Sequence, residues 1–188
     1  AVFGNFINRV VVLTHKYYNG VVPSPNEFND VDNQVLNELK AYPAVISSSI
    51  ERYRFREALG EMMNVARLGN KYLADEEPWK MVKTDAERVK TQMYVALQVA
   101  AALRVLCEPF LPFTACKLAG MLKTSDDLNW KTIAETSNLL PAGHTIGLGE
   151  ILFAQIENAE IQKQIDKLEA TKTANEKKKK TIDPQKAT

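Results

Sequence analysis

The chain has 188 residues, of which 45% are apolar, and its formal net charge is only +1. This length and apolar content suffice for one domain with a sizeable core, and they exclude a mostly disordered chain. The near-neutral charge argues against broad electrostatic binding of nucleic acid, which requires many cations on one surface. It is compatible with selective recognition by stacking and hydrogen bonds.

The sequence offers neither a membrane span nor a metal motif. No apolar run approaches the roughly 20 residues that cross a bilayer, so we expect no membrane partner. Cys107 and Cys116 are the only cysteines, and their spacing fits neither a C-x-x-C pair nor a Cys/His zinc site. We predict two buried free thiols in a reducing cytosol, and hence a cytoplasmic protein. The chain starts at Ala1, inside a predicted helix, and is expected to be a piece of a longer protein.

The first predicted helix runs from the start of the chain to about Tyr18. Apolar residues at spacings of three and four predict a core-facing stripe, formed by Phe3, Phe6, Val10, Leu13 and Tyr17. At about 100° per residue, Asn5, Arg9 and Lys16 share the opposite, outward side. An outward amide beside a guanidinium can hydrogen-bond the edges of nucleic-acid bases.

Two further helices are predicted before residue 75. The second spans residues 27 to about 39, with a break or kink at Pro43 before any continuation. The serines at 47–49 either form a turn or belong to that continuation, and the sequence leaves both open. The third spans residues 51 to about 73. Its buried surface is predicted to comprise Tyr53, Phe55, Leu59, Met62, Met63, Ala66 and Leu68.

Residues 75–79, with the sequence D-E-E-P-W, predict a helix or turn that begins near Pro78. Proline tolerates the first turn of a helix, and acidic residues there suit the helix dipole. Trp79 would then project from a rigid corner, where an indole can stack on an unpaired base. From composition alone, a buried tryptophan is the commoner case. Lys80 and Lys83 are either phosphate contacts or ordinary solvated lysines.

Residues 85 to about 107 are predicted to form a long helix that is apolar on most of its circumference, as is typical of the central helix of a bundle. Shorter helices are predicted at 113–122 and 128–135, and helical spacing returns at 157–170. No alternation of strands and helices is visible, and there is no Gly-rich phosphate loop or nucleophile elbow. We therefore expect no catalytic residue.

Three ordered segments carry a family resemblance. They read G-N-F-I-N-R-V at 4–10, N-K-Y-L leading to E-P-W-K at 70–80, and L-F-A-Q-I-E at 152–157. Together they resemble the anticodon-binding domain of methionyl-tRNA synthetase, a class I aminoacyl-tRNA synthetase, over about residues 1 to 165. The resemblance implies an all-α bundle of about five to seven helices, with no sheet. We place this domain at residues 1–170 and a lysine-rich flexible linker at 171–188.

The resemblance also implies roles for individual residues. In that family, the first amide and the closing arginine of the N-x-x-N-R run, with the tryptophan of the P-W pair, bind the CAU anticodon. The corresponding residues are Asn5, Arg9 and Trp79, with Pro78 beside the tryptophan. Lys16 stands where the family more often has arginine. Lysine keeps the charge but loses the planar fork, so it reads either a base or a phosphate.

A longer parent is implied as well, namely the ligase that uses ATP to join methionine to tRNA(Met) in protein biosynthesis. ATP, with zinc as a second candidate, would bind in a catalytic domain of the same chain, and we expect no cofactor in these residues. In longer members the linker leads to an OB-fold module that promotes homodimerisation. Lys177 to Lys180 are either a solvated tail or an additional phosphate-binding segment.

Two alternatives remain open. A Trp and Arg cluster also suits a helical protein–protein interaction module that docks a peptide or a partner helix. Related helical domains serve the leucine, isoleucine, valine and cysteine enzymes of the same class, although the Asn-Arg run together with Pro-Trp disfavours them.

Overall fold

A computed structural model describes residues 2–125, 127–154 and 156–182, with side chains as far as residue 176. The described residues contain eight helices and no strand. The helices are α1 (Val2–Tyr18), α2 (Asp30–Glu51), α3 (Phe55–Glu76), α4 (Pro78–Met81), α5 (Ala86–Leu106), α6 (Pro112–Leu122), α7 (Trp130–Glu135) and α8 (Asn158–Ile182).

The chain divides into two compact units, Ala1–Leu152 and Phe153–Thr188. The first unit holds α1 to α7, which confirms the predicted all-α bundle of five to seven helices. The second unit holds α8. None of the helices in the described part of the chain is both long and apolar enough to cross a membrane.

Helix α5 is the centre of the first unit, as predicted. It contacts each of the other six helices of that unit, and every residue from 91 to 103 is buried. A helix that is apolar on all sides can be accommodated only where neighbours cover its whole circumference. The other six helices of the first unit therefore pack apolar residues toward α5.

Helix α2 differs from its predicted bounds at both ends. It begins at Asp30 because Asn29 caps it, with Asn29 and Asp32 forming a reciprocal capping box. It does not stop near residue 39 but continues through Pro43 to Glu51, so the serines at 47–49 are helical. Buried residues on both sides of the proline hold this helix against the core, which offsets the lost backbone hydrogen bond.

The predicted burial at the start of α3 was wrong. Tyr53 is 82% exposed and Phe55 is 56% exposed, and their rings pack edge to face with centroids 6.3 Å apart. Tyr53 has a positive φ of 59°, and α3 begins only at Phe55. The turn takes these rings out of the helical register that would have buried them. Leu59, which was also predicted to be buried, is 39% exposed, whereas Met62 and Ala66, further along α3, are fully buried as predicted.

The two cysteines are free, but only one of them is buried. Burial raises the pKa of the Cys107 thiol to about 12. Cys116 is exposed, so the prediction of two buried thiols was wrong for it. Helix α6 buries Ala115 and Leu118 on one face, and Cys116 lies on the other.

The second unit begins before the domain boundary that the sequence predicts after residue 170. Helix α8 runs through that position and continues to Ile182, so residues 171–182, expected as part of a flexible linker, are helical. Alanine, glutamate and lysine are strong helix formers, which explains why a polar, lysine-rich segment can extend a helix. The predicted tail beyond Ile182 lies outside the described residues.

Candidate functional site

The outer face of α1 carries the polar residues that the helical periodicity placed there. Phe6 and Val10 are fully buried, whereas Asn5 is exposed and Arg9 is half-buried. Asn5 and Arg9 are one helical turn apart and are therefore neighbours on the surface. Lys16 lies on the same side of the helix, about 10 Å further along its axis.

Helix α4 brings Trp79 to this face. The guanidinium carbon of Arg9 lies 5.5 Å from the centre of the Trp79 ring, the distance of a cation–π contact. Trp79 is half-buried and packs against an apolar cluster formed by Leu13, Val89 and Met93. The indole is thus anchored by the core while part of its surface reaches solvent.

The polar side chains of Asn5 and Arg9 on α1 have hydrogen-bonding groups that are available to a ligand. The side chains of Asn5 and Arg9 form no hydrogen bond or ion pair with any other described residue. A shallow pocket of about 300 Å³ adjoins them, and it is lined by Asn5, Asn8, Arg9, Val12 and Leu13. Sequence reasoning missed Asn8 and Val12. Their helical positions beside Asn5 and Arg9 were the available signal.

We call Asn5, Arg9 and Trp79 the recognition cluster. It combines an amide, which both donates and accepts, with a planar guanidinium that only donates. The indole adds a flat apolar surface next to them. Such a set can hydrogen-bond a planar polar edge and stack on the same planar group. Within the described part of the chain, no group of three or more His, Cys, Asp or Glu side chains could hold a metal ion.

The corner between α3 and α4 fixes where Trp79 emerges. Glu77 adopts a left-handed conformation (φ 43°, ψ 55°) and closes α3, with its N–H donating to the Leu73 carbonyl at 3.2 Å. Pro78 then occupies the first position of α4, which confirms the predicted helix start. The Pro78 ring is buried, so it shapes the corner beneath the exposed surface of Trp79.

Three lysines lie on or next to α1 and α4, in different settings. Lys16 Nζ lies 5.4 Å from the centre of the Tyr17 ring. Lys80 Nζ forms an exposed ion pair with Glu77 Oε1 at 2.7 Å. Lys83 is exposed and pairs with none of the described carboxylates. Their shared feature is solvent exposure near α1 and α4.

A buried polar network, which sequence reasoning missed, lies deeper in the bundle. Asp32 is fully buried and accepts hydrogen bonds from both terminal nitrogens of Arg88, from the Tyr72 hydroxyl at 2.6 Å and from the Asn29 N–H at 3.0 Å. Arg88 also donates to Glu76 Oε2 at 2.7 Å. Asp32 and Arg88 are 56 positions apart, and helical periodicity carries no signal for such a pair.

The network controls the ionisation of its members. Burial alone would raise the pKa of Asp32, but hydrogen bonds from Arg88, Tyr72 and Asn29 outweigh it and hold the pKa below its usual value. Burial and the bond to the Asp32 carboxylate raise the pKa of Tyr72. Asp32 is therefore ionised and Tyr72 is neutral at physiological pH.

An all-α bundle with an exposed amide and a half-buried guanidinium and indole at one corner is typical of a helical binding domain. The fold matches part of the apo methionyl-tRNA synthetase of Mycobacterium tuberculosis, with a TM-score of 0.76 and 22% identity over 83% of this chain and 32% of that one. That likeness shows a shared fold.

Sequence similarity specifies the family. Residues 22–173 match the model described as the anticodon binding domain of methionyl tRNA ligase. The chain is 76% identical over 99% of its length to a methionine–tRNA ligase of Flavobacterium psychrophilum, and 63% identical to that of Flavobacterium johnsoniae. It spans 27% and 30% of those two proteins. The chain belongs to the family of methionyl-tRNA ligase anticodon-binding domains.

Proposed function

We propose that the recognition cluster reads the CAU anticodon of tRNA(Met). The observation that supports this most directly is the Arg9 guanidinium over the Trp79 ring, one turn from Asn5, with the donors of Arg9 unpaired. In the proposed mechanism the anticodon loop is splayed and Trp79 stacks on an unpaired base. Asn5 and Arg9 then bond the edge of the first anticodon base.

The binding free energies available from stacking and hydrogen bonds are large enough for three side chains on a near-neutral domain to select an anticodon. Stacking of one base on an aromatic side chain contributes about 1–3 kcal/mol, and a good bidentate contact contributes a similar amount. Arg9 forms no ion pair with a described carboxylate, so it can move from the ring to a base edge without breaking one. Three side chains could therefore supply most of the discrimination between anticodons.

Lysines outside the recognition cluster would add contacts to the RNA. Lys83 is exposed and serves a phosphate directly. Lys80 must first exchange its exposed bond to Glu77, which costs little in water. Lys16 lies about two turns beyond Arg9, which favours a neighbouring base or phosphate over the base that Arg9 reads. That Lys177 to Lys180 also bind phosphates of the tRNA stays a prediction.

The experiment is a fluorescence titration of the Trp130→Phe chain, in which Trp79 is the remaining tryptophan, at fixed salt. The two ligands are a CAU anticodon stem-loop and the same stem-loop with its first anticodon base changed. We expect quenching by the CAU loop that largely disappears with the variant loop. The variant Trp79→Ala should bind the CAU loop roughly tenfold more weakly, or worse. Its binding is measured through the RNA, by electrophoresis or by the anisotropy of a labelled loop.

Other outcomes of this titration would redirect the proposal. Equal and strongly salt-dependent binding of both loops would mean charge-based binding without anticodon reading. A large loss of thermal stability in Trp79→Ala would make the indole a core residue instead. No binding of either loop would favour a protein partner at the same cluster.

The relatives that this chain matches are about three to four times as long as the chain itself. We propose that a catalytic domain of the same chain joins methionine to tRNA(Met) with ATP, and that zinc, where used, also belongs there. The helical domain itself would bind tRNA without catalysing the reaction. A cytoplasmic location fits the two free thiols. Homodimerisation through a further C-terminal module also stays a proposal.

A further inference from the structure

Two fully buried glutamines on α5, Gln92 and Gln98, each hold the backbone of another segment. Gln98 is saturated. Its Oε1 accepts from the N–H groups of Leu139 and Leu140 at 2.7 and 2.9 Å, and its Nε2 donates to the Leu140 carbonyl at 3.0 Å. This side chain fixes the loop that follows α7.

Gln92 holds the corner that carries Trp79. Its Nε2 lies 2.8 Å from Glu76 Oε2, 3.3 Å from the Glu76 carbonyl and 3.3 Å from Met81 Sδ. Glu76 is the last residue of α3, and Met81 is the last residue of α4. One amide group therefore contacts the chain on both sides of the tryptophan.

We propose that Gln92 is a positioning residue for Trp79, an inference that rests on the proposed function of the recognition cluster. Helix α4 has only four residues and cannot be stable on its own. The corner also contains Glu77 at φ 43°, a conformation that non-glycine residues adopt at a cost. Contacts from outside the corner must therefore help to hold it. The apolar cluster beneath Trp79 supplies packing, and Gln92 adds its amide contacts from α5.

The hydrogen bonding of Gln92 supports a role beyond stability. Its buried Oε1 has no hydrogen-bond partner among the described residues, unlike that of Gln98. An unsatisfied buried oxygen is unfavourable, and an apolar side chain of the same size would avoid that cost. The contribution of this side chain therefore lies in its amide nitrogen, whose contacts to the corner a methionine or leucine could not make.

The test compares Gln92→Met with Gln98→Met in the Trp130→Phe chain. Gln92→Met removes the contacts to the corner together with the unsatisfied oxygen, so the melting temperature should change little. Binding of the CAU stem-loop should weaken about fivefold because the corner that carries the indole loses the bonds from Gln92 and is held less firmly. Trp79 should also become more accessible to acrylamide quenching in the free protein.

Gln98→Met is the matched control. It leaves three backbone groups without their partner, so it should lower the melting temperature more than Gln92→Met does. At a temperature well below both transitions, its affinity for the CAU stem-loop should equal that of the parent. Should Gln92→Met not fold, Met81→Leu removes the sulfur contact alone and is expected to weaken binding about twofold.

The outcomes separate this inference from the function on which it rests. Full CAU affinity in Gln92→Met, while Trp79→Ala loses it, would overturn the positioning role and leave anticodon reading in place. An equal loss of affinity in both glutamine variants would show general loosening of the bundle and would also overturn it. Full affinity in Trp79→Ala would refute the proposed function and this inference together.

Discussion

Arg9 and Arg88 carry the same guanidinium group and have opposite surroundings. Arg88 is bonded to the carboxylates of Asp32 and Glu76 and closes a buried network. Arg9 contacts an aromatic ring at the surface and pairs with no described carboxylate. An arginine bound to carboxylates has spent its donors on the fold, whereas one held by a ring keeps them for a ligand. Helical periodicity placed Arg9 on an outward face, but it gave no indication of the partners of Arg88.

The largest expected effect comes from breaking the buried network. Arg88→Met leaves the carboxylate of Asp32 buried without its main partner, so the free energy of unfolding should fall by about 3–5 kcal/mol. Denaturant unfolding measures this change. Arg54→Met is the control, because its ion pair with Glu57 is exposed and should be worth about 0–1 kcal/mol. Similar losses in the two variants would erase the distinction between structural and surface arginines.

The pH dependence of the free energy of unfolding should report the ionisation of Asp32 in this network. The pKa of Asp32 is lower in the folded protein than in the unfolded chain, where it is about 3.9. Ionised Asp32 therefore stabilises the fold at pH values above about 3.9, and this stabilisation is lost as the pH falls through the pKa of the folded state. Without Arg88, burial dominates and the Asp32 pKa should rise, which makes the variant lose stability as pH increases. The stability difference between wild type and Arg88→Met should therefore widen as pH rises through about 4. A difference that is constant with pH would mean that Asp32 ionisation contributes nothing.

The next effect concerns the contact that places α1 against α3. A methyl group at Gly69 would overlap the ring of Phe6, so Gly69→Ala should cost roughly 1–3 kcal/mol and displace the α1 face. Gly60, also in α3, has open space around the same position. Gly60→Ala should stabilise the helix by about 0.5–1 kcal/mol. Thermal unfolding of the pair tests how closely α1 and α3 approach each other.

Arg9→Lys tests the exposed side of the comparison. Lysine keeps the charge and the cation–π contact but loses the planar fork. CAU stem-loop affinity should fall about three- to tenfold, with unfolding unchanged, and selectivity for the first anticodon base should decrease. Unchanged selectivity would mean that Arg9 supplies only charge.

Lys16→Ala should have the smallest effect. If Lys16 contacts a phosphate, affinity falls about equally for both stem-loops, and the dependence of log K on log salt loses about one unit of slope. A loss confined to the CAU loop would instead assign Lys16 to base reading.

The sequence predicted faces and elements better than partners. Helical periodicity placed Asn5 and Arg9 outward and Phe6 inward, and the Pro-Trp pair marked the start of α4. Family resemblance linked Arg9 to Trp79, and the structure places these two side chains in contact. Periodicity cannot report which distant residue a buried polar group meets, so the Asp32–Arg88 pair was missed. It also assigned Tyr53 to the core, because a left-handed turn residue gives no periodic signal.

Because one thiol is exposed and the other is buried, thiol labelling can measure local unfolding of the helical bundle. A maleimide added to the native protein should modify Cys116 at once, because this thiol is exposed. Cys107 is buried on the central helix end with a pKa of about 12, so it should react only when the core opens. The rate at which Cys107 is labelled then measures how often the interior of the bundle becomes exposed. The same measurement with and without RNA shows how strongly a ligand bound at Asn5, Arg9 and Trp79 restrains the core.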